Sequence, residues 1–220
     1  MARHKEKRTE RSKVDATPPW DTKRQHDADA TTGPYDVHDE PSDGVERVDL
    51  GALKVPVGSG LEVRLDVDEQ GQVAAVNLVS ETGQMQVGVF AAPRREGIWA
   101  DVRGEISESI TAEGGAVDER DGEFGVELAG SLGTPGGRTP VRFIGVDGPR
   151  WFLRGMVVGA PAQDESAAEQ YHEVFRNIVV VRGVDPLPVR DPVPLRLPAD
   201  AAEQLQAAAQ QAAQQAQQEG

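Results

Sequence analysis

The sequence predicts an α+β protein: a largely antiparallel sheet with two amphipathic helices packed on one face of it. Several short runs alternate apolar and polar residues, which is typical of half-buried strands. Two longer stretches repeat apolar residues every three or four positions, which is typical of helices. Most connections between these runs are too short for the crossovers of a parallel sheet. The chain of 220 residues therefore accommodates one such domain with tails.

The first strands show the alternation most clearly. Residues 61–67 place apolar side chains at every second position, with charged residues between them. Residues 73–79 and 84–90 follow after short turns, so the three runs predict an antiparallel meander.

Two stretches have helical periodicity. Their apolar positions are Ile98, Trp99, Val102, Ile106 and Ile110 in the first, and Ala167, Ala168, Tyr171, Val174 and Phe175 in the second. We expect the first helix to end at Gly114-Gly115 and the second to run from about Asp164 to Asn177. Ser166 and Glu169 have the spacing of a capping box at its start.

Further strands are predicted between the two helices, over 116–119, 123–129, 139–146 and 150–158. The last two form a hairpin around Asp147-Gly148-Pro149. Residues 150–158 are apolar on both faces, so this strand should lie in the middle of the sheet. A short strand is expected at Ile178–Val181.

The composition divides the chain into four parts. Residues 1–45 are predicted to be a disordered arm with a basic tip followed by an acidic stretch, and 46–185 a single α+β domain. Residues 186–198 are proline-rich and should be extended, whereas 199–220 are rich in Ala and Gln and predict a frayed helix. Whether the proline-rich segment docks on its own domain is left open.

Composition also excludes several chemistries. The chain has no cysteine, so a thiolate metal site, a disulfide framework and a cysteine nucleophile are excluded. We predict no catalytic set, no metal site and no cofactor. His172 is the only histidine outside the arm, and its position beside the apolar helix face predicts a surface residue.

One group of side chains predicts a contact with an anion or a partner. Arg142, Arg150 and Arg154 lie near Trp151 on the predicted hairpin, and Arg142 and Arg154 are expected to face each other across it. Paired guanidinium groups beside aromatic rings suit carboxylate or phosphate. Simple charge balance in an acidic domain is the alternative.

Several segments together resemble the Domain of Unknown Function 3710 family, over about residues 33–198. They are Gly33-Pro-Tyr-Asp36, Val48-Asp-Leu-Gly51, Leu53-Lys-Val-Pro56, Gly148-Pro-Arg-Trp-Phe-Leu-Arg-Gly155, Val180-Val-Arg-Gly183 and Pro194-Leu-Arg-Leu-Pro198. The resemblance implies a cytoplasmic actinobacterial protein, and it supplies no activity and no site residues.

Three functional hypotheses follow. The leading one is a non-enzymatic protein-binding module, adaptor-like or chaperone-like. The second is a binder of, or an enzyme acting on, a small anionic ligand held by the arginine cluster. The third is an accessory protein at the inner membrane surface, held through the basic tip at residues 1–13. Nucleic-acid binding is disfavoured for the folded part, because the chain carries a net charge of −14.

Overall fold

The computed structural model describes residues 32–68 and 72–198. Within them the strands are β1 (Tyr35–Asp36), β2 (Arg47–Asp49), β3 (Leu53–Pro56), β4 (Glu62–Val67), β5 (Val73–Val79), β6 (Gly83–Ala91), β7 (Ala116–Gly122), β8 (Gly125–Thr134), β9 (Gly137–Gly148), β10 (Trp151–Gly159) and β11 (Val179–Val180). The helices are α1 (Trp99–Ala112) and α2 (Glu165–Arg176).

Two sheets organise the chain. The larger has seven antiparallel strands in the order β4-β5-β6-β10-β9-β8-β7, and the smaller has the order β1-β11-β3-β2, with β1 parallel to β11. The predicted meander is confirmed as β4–β6, and the strand that is apolar on both faces is β10, at the centre of the larger sheet. The α+β class is therefore confirmed.

The two helices do not share one face of the sheet, and this part of the prediction is wrong. Trp99 of α1 stacks on Phe152 of β10, with their ring centroids 5.6 Å apart. Tyr171 and Phe175 of α2 instead belong to the core that contains Leu153 of β10. Because neighbouring residues of a strand point to opposite faces, α1 and α2 cover opposite sides of the sheet.

Helix α1 covers only one end of its face. Its Trp99 lies over Gly145 of β9, where a Cβ would overlap the indole ring, and Trp99 Nε1 donates to the carbonyl of Val126 at 2.7 Å. Ile110 of α1 packs with Leu128 of β8. The helix therefore lies over β7, β8 and β9 and leaves the β4–β6 side of this face without a helix.

Helix α2 begins at a different cap from the predicted one. Asp164 accepts hydrogen bonds from the backbone amides of Ser166 (2.9 Å) and Ala167 (3.4 Å). Asp164 is thus the N-cap, and the expected Ser166–Glu169 capping box is not formed. The negative charge of this carboxylate also interacts favourably with the positive end of the helix dipole.

The proline-rich segment lies along its own domain. Strand β5 pairs with β6 only as far as Val76 and Val87, so β5 leaves the part of β6 after Val87 without a partner on this edge. Residues 190–193 take this place, since Val193 N donates to the carbonyl of Val89 at 2.9 Å. Farther on, Arg196 N donates to the carbonyl of Leu50 at 2.8 Å, which connects the segment to the smaller sheet.

The predicted arm at 1–45 extends too far into the domain. Tyr35–Asp36 form β1, next to β11, and Asp36 is buried. Local composition could not reveal this, because the partners of these residues lie more than a hundred positions away. The rest of the predicted arm before Thr32, with its basic tip, and the Ala/Gln tail at 199–220 lie outside the described residues.

Candidate functional site

The predicted arginine cluster is divided between two faces of the sheet. Arg142 on β9 is opposite Val157 of β10, and Arg154 is opposite Gly145. Arg154 is therefore three positions from the residue that faces Arg142, and an odd offset turns a side chain to the other face. The expectation that Arg142 and Arg154 face each other is wrong.

The other two residues of that group have separate roles. Trp151 is buried in the main core at 2% exposure, and its Nε1 donates to Asp36 Oδ2 at 2.8 Å. Arg150 occupies the turn between β9 and β10 with a φ of 65°, and its carbonyl accepts from Arg182 Nε at 3.2 Å. Neither lines a site together with Arg142 or Arg154.

Arg154 lies on the part of the sheet that α1 leaves uncovered. Its guanidinium carbon is 5.1 Å from the ring centroid of Phe90. No carboxylate or hydrogen-bond acceptor among the described residues pairs with it. Burial lowers the pKa of Arg154, but an arginine remains protonated at neutral pH. It is thus a half-buried cation that rests on an aromatic ring without a counter-charge.

The surface around Arg154 is defined by the register of β6 and β10. Met156 is opposite Gln86, and Val158 is opposite Gln84. We call the open face the surface formed by Gln84, Gln86, Phe90, Arg154, Met156 and Val158. Most of these side chains are half-buried. Arginine, methionine and phenylalanine are enriched at the centres of protein interfaces.

On the opposite side of the sheet, Arg142 is part of an ion-pair network in which the arginine is buried and its partner Glu165 is exposed. It is about 1% exposed, and its Nη2 and Nη1 contact the two carboxylate oxygens of Glu165 at 2.7 and 3.1 Å. Its Nε also donates to the carbonyl of Ala162 at 3.3 Å. Arg142 is therefore fully paired and cannot serve as a free anion site.

His172 belongs to the same network, and the prediction that it lies at the surface is wrong. It is 5% exposed, because α2 presses this side of the helix onto the sheet. Its Nδ1 is 3.2 Å from Glu123 Oε2, and its Nε2 is 3.5 Å from Arg142 Nη1. A guanidinium beside Nε2 and a carboxylate beside Nδ1 together favour the tautomer in which Nδ1 carries the proton. Burial lowers the pKa of His172, which favours this neutral form.

Glu127 is a buried carboxylate that sequence reasoning missed. It lies on β8 at 1% exposure, and neither of its oxygens has a hydrogen bond among the described residues. Burial raises the pKa of Glu127, while the positive charges of Arg142 and Arg120 act in the opposite direction. The sequence analysis made no prediction for this residue. The available signal was a charged residue in the middle of a strand.

These groups line a cleft of about 240 Å³ between α2 and the strands β7–β9, which we call the α2 cleft. Its carboxylates are those of Asp121, Glu123, Glu127, Glu165 and Glu169. The only guanidinium groups that line it are those of Arg120 and Arg142, so the cleft is electronegative. In the part of the chain that is described, no three His, Asp or Glu side chains are arranged to hold a metal ion.

The fold and these two surfaces define an α+β protein whose central sheet is covered unequally on its two faces. The chain belongs to the family described as "Protein of unknown function (DUF3710)", which matches residues 33–204. This confirms the resemblance noted in the sequence.

Other comparisons add little. No curated protein matches the chain. The solution structure of cyanobacterial PsbP (CyanoP) from Synechocystis sp. PCC 6803 is similar at 11% identity and a TM-score of 0.37. That match covers 64% of this chain and 96% of the other. Neither helix of the described residues is long and apolar enough to cross a bilayer.

Proposed function

We propose that the protein is a non-enzymatic protein-binding module, and that its open face receives a carboxylate-bearing segment of a partner. The observation that carries the proposal is Arg154, a half-buried guanidinium on Phe90 that has no counter-charge among the described residues. A partner carboxylate would supply the missing charge and form a hydrogen-bonded pair.

The shape and the charges of the open face favour a protein over a small molecule as its binding partner. The open face is a stretch of sheet, whereas small ligands bind in concave pockets that enclose most of their surface. With Arg142 committed to Glu165, a small anion would meet Arg154 alone instead of three converging arginines. Phe90 and Met156 add apolar contact of the kind found at interface centres.

The partner's charge is constrained by this chain's own charge. A net charge of −14 repels a strongly acidic partner at long range. One carboxylate within an otherwise apolar or polar segment satisfies Arg154 without that repulsion. We therefore propose that the open face recognises a partner segment in which a single acidic residue lies beside apolar residues.

A role in binding also agrees with the α2 cleft. Both ring nitrogens of His172 are engaged, by Glu123 and by Arg142. No serine, threonine, tyrosine or lysine lines the cleft beside it. A general base needs a free nitrogen within reach of the proton that it takes, so this arrangement favours structure over catalysis.

Site-specific photocrosslinking in cells tests the proposal. With p-benzoylphenylalanine in place of Gln86 on the open face, a discrete adduct with another protein is expected. The same group in place of Glu173, exposed on α2, should give none. Arg154→Gln should abolish the adduct, whereas Arg64→Gln, an exposed arginine that pairs with Glu62, should leave it. An adduct that survives Arg154→Gln would reject the proposal.

The membrane-surface hypothesis concerns residues 1–13, outside the described part of the chain, and it stays a prediction, as does a cytoplasmic location. It predicts that the full chain binds anionic vesicles and that a chain without residues 1–13 does not bind them. Full-length protein that fails to bind such vesicles would end it.

A further inference from the structure

We propose that the α2 cleft is a binding site for the cationic end of an organic ligand, a guanidinium or alkylammonium group, with Glu127 as its acceptor. This site lies on the opposite side of the sheet from the open face and does not depend on the function proposed for that face. Three observations carry it: a buried carboxylate without a hydrogen bond, the charge of the cleft and the volume of the cleft that Glu127 lines.

The first observation is that Glu127 lacks partners. Both of its oxygens are buried and have no hydrogen bond among the described residues. The Arg120 guanidinium is 3.9 Å from Oε2, beyond hydrogen-bonding distance. A buried carboxylate without donors is unfavourable, and a ligand that brings N–H groups and a positive charge removes this penalty.

The charge of the cleft selects a cation over an anion. Arg142 is bound to Glu165, and Arg120 also donates to Glu165, at 3.1 Å. An anion would find both guanidinium groups already bonded to Glu165 and would face several carboxylates. The Nε–H of Arg120 is buried without an acceptor, so a neutral oxygen next to the ligand's cationic group would find a donor.

The third observation is space. The cleft volume of about 240 Å³ accommodates a guanidinium group with part of its alkyl stem. Gly122 of β7 lies directly against the Glu127 carboxyl group, and a Cβ at this position would overlap it. Only a glycine therefore fits beside this carboxylate, and the ligand has to replace part of the contact that now covers its oxygens.

Two sources could supply this cation. One is another molecule, and the other is the basic tip of this chain, which carries Arg3, Lys5, Lys7, Arg8, Arg11 and Lys13. The described chain enters beside the cleft: Gly33 packs on the carbonyl of Arg176, whose guanidinium pairs with the cleft residue Glu123.

Titration of the full-length protein with Nα-acetyl-arginine amide tests the site, and Nα-acetyl-citrulline amide is the neutral isostere. The arginine compound is expected to bind and the citrulline compound to bind at least about tenfold more weakly, because only the former pairs with Glu127. Glu127→Gln, which preserves the volume, should weaken binding to a similar extent. Asp101→Asn, on the exposed side of α1, should leave it unchanged.

A second readout uses the wild-type protein and does not depend on how a variant folds. The ring resonances of His172, inside the cleft, should shift on addition of the arginine compound, while those of the exposed His38 should not. Equal binding of the two compounds, or an unmoved His172, would overturn the proposal.

The source is settled by a full-length variant with all six tip cations changed to glutamine. If the tip occupies the cleft, this variant binds the arginine compound several-fold more tightly than wild type. Unchanged affinity assigns the site to an external cation. Absence of binding by both proteins would overturn the site itself.

Discussion

Trp151 donates its indole N–H to the carboxylate of Asp36 at 2.8 Å, and 115 residues separate the two in the chain. Both side chains are buried. The hydrogen bond joins the central strand of the larger sheet to the first strand of the smaller one. Together with the pairing of β1 and β11, it connects a segment of polar composition to the core of the domain.

The first prediction concerns this bond. Asp36→Ala should lower the free energy of unfolding by about 1–3 kcal/mol, because a buried indole N–H loses its acceptor. Asp39→Ala, at an exposed carboxylate in the same turn, should cost less than about 0.5 kcal/mol. Urea denaturation followed by tryptophan fluorescence measures both. Equal stability of the two variants would show that the bond contributes nothing.

The second prediction concerns the start of α1. Asp147 on β9 accepts from the amides of Ile98 (2.8 Å) and Trp99 (3.2 Å), so it caps a helix that has no side-chain cap of its own. Asp147→Ala should destabilise the protein by about 1 kcal/mol. Hydrogen exchange should accelerate at the first turn of α1 and not at α2, while Glu108→Ala, at an exposed position farther along α1, changes neither. Equal acceleration in both helices would contradict a local cap.

The third prediction concerns the proline-rich segment. Val193 is 7% exposed and belongs to the main core, whereas Val189 in the same segment is 49% exposed. Val193→Ala should cost about 1–2 kcal/mol and speed proteolysis within 186–198, because it removes buried apolar surface. Val189→Ala should do neither. If both variants are cleaved at the wild-type rate, the segment is not held by Val193.

The fourth prediction concerns pH. Because burial raises the pKa of Glu127 above its ordinary 4.5, the folded protein holds this proton more tightly than the unfolded chain does. The stability that this group contributes is therefore complete below pH 4.5 and is lost as the pH rises through the folded-state pKa. Glu127→Gln removes this dependence. The stability of the variant relative to wild type should thus increase with pH.

Urea denaturation of both proteins across this pH range measures the difference. The groups that face Glu127, namely Arg120, Arg142, Glu165 and His172, are present in both proteins, so their own titration largely cancels. A difference that is constant with pH, or one that decreases as the pH rises, would contradict the raised pKa.

Much of the fold was predictable from local pattern. Both helices, the meander and the central position of β10 follow from apolar residues at periods of 3.6 and 2, which depend only on neighbours in the chain. The N-cap of α2 was predicted at Ser166 and found at Asp164. Several polar residues follow one another here, and the local sequence alone does not show which of them is the cap.

The site was much less predictable. Arg154 was identified, but its pairing with Arg142 was wrong, because a register shift of a single residue reverses the face of a strand side chain. His172 was predicted to lie at the surface, and Glu127 was not identified at all. Each is buried only because α2 covers the side of the sheet opposite α1.

The sequence by itself determined the class of the fold, its elements and the family, because these depend on residue types and on spacings of a few positions. Only the tertiary structure decided which face each helix covers, where the proline-rich segment lies and which charged groups lose contact with water. Those outcomes depend on contacts between residues far apart in the chain. Burial and pairing of Glu127, Arg142, Arg154 and His172 are set by those contacts, and so is the chemistry of both proposed surfaces.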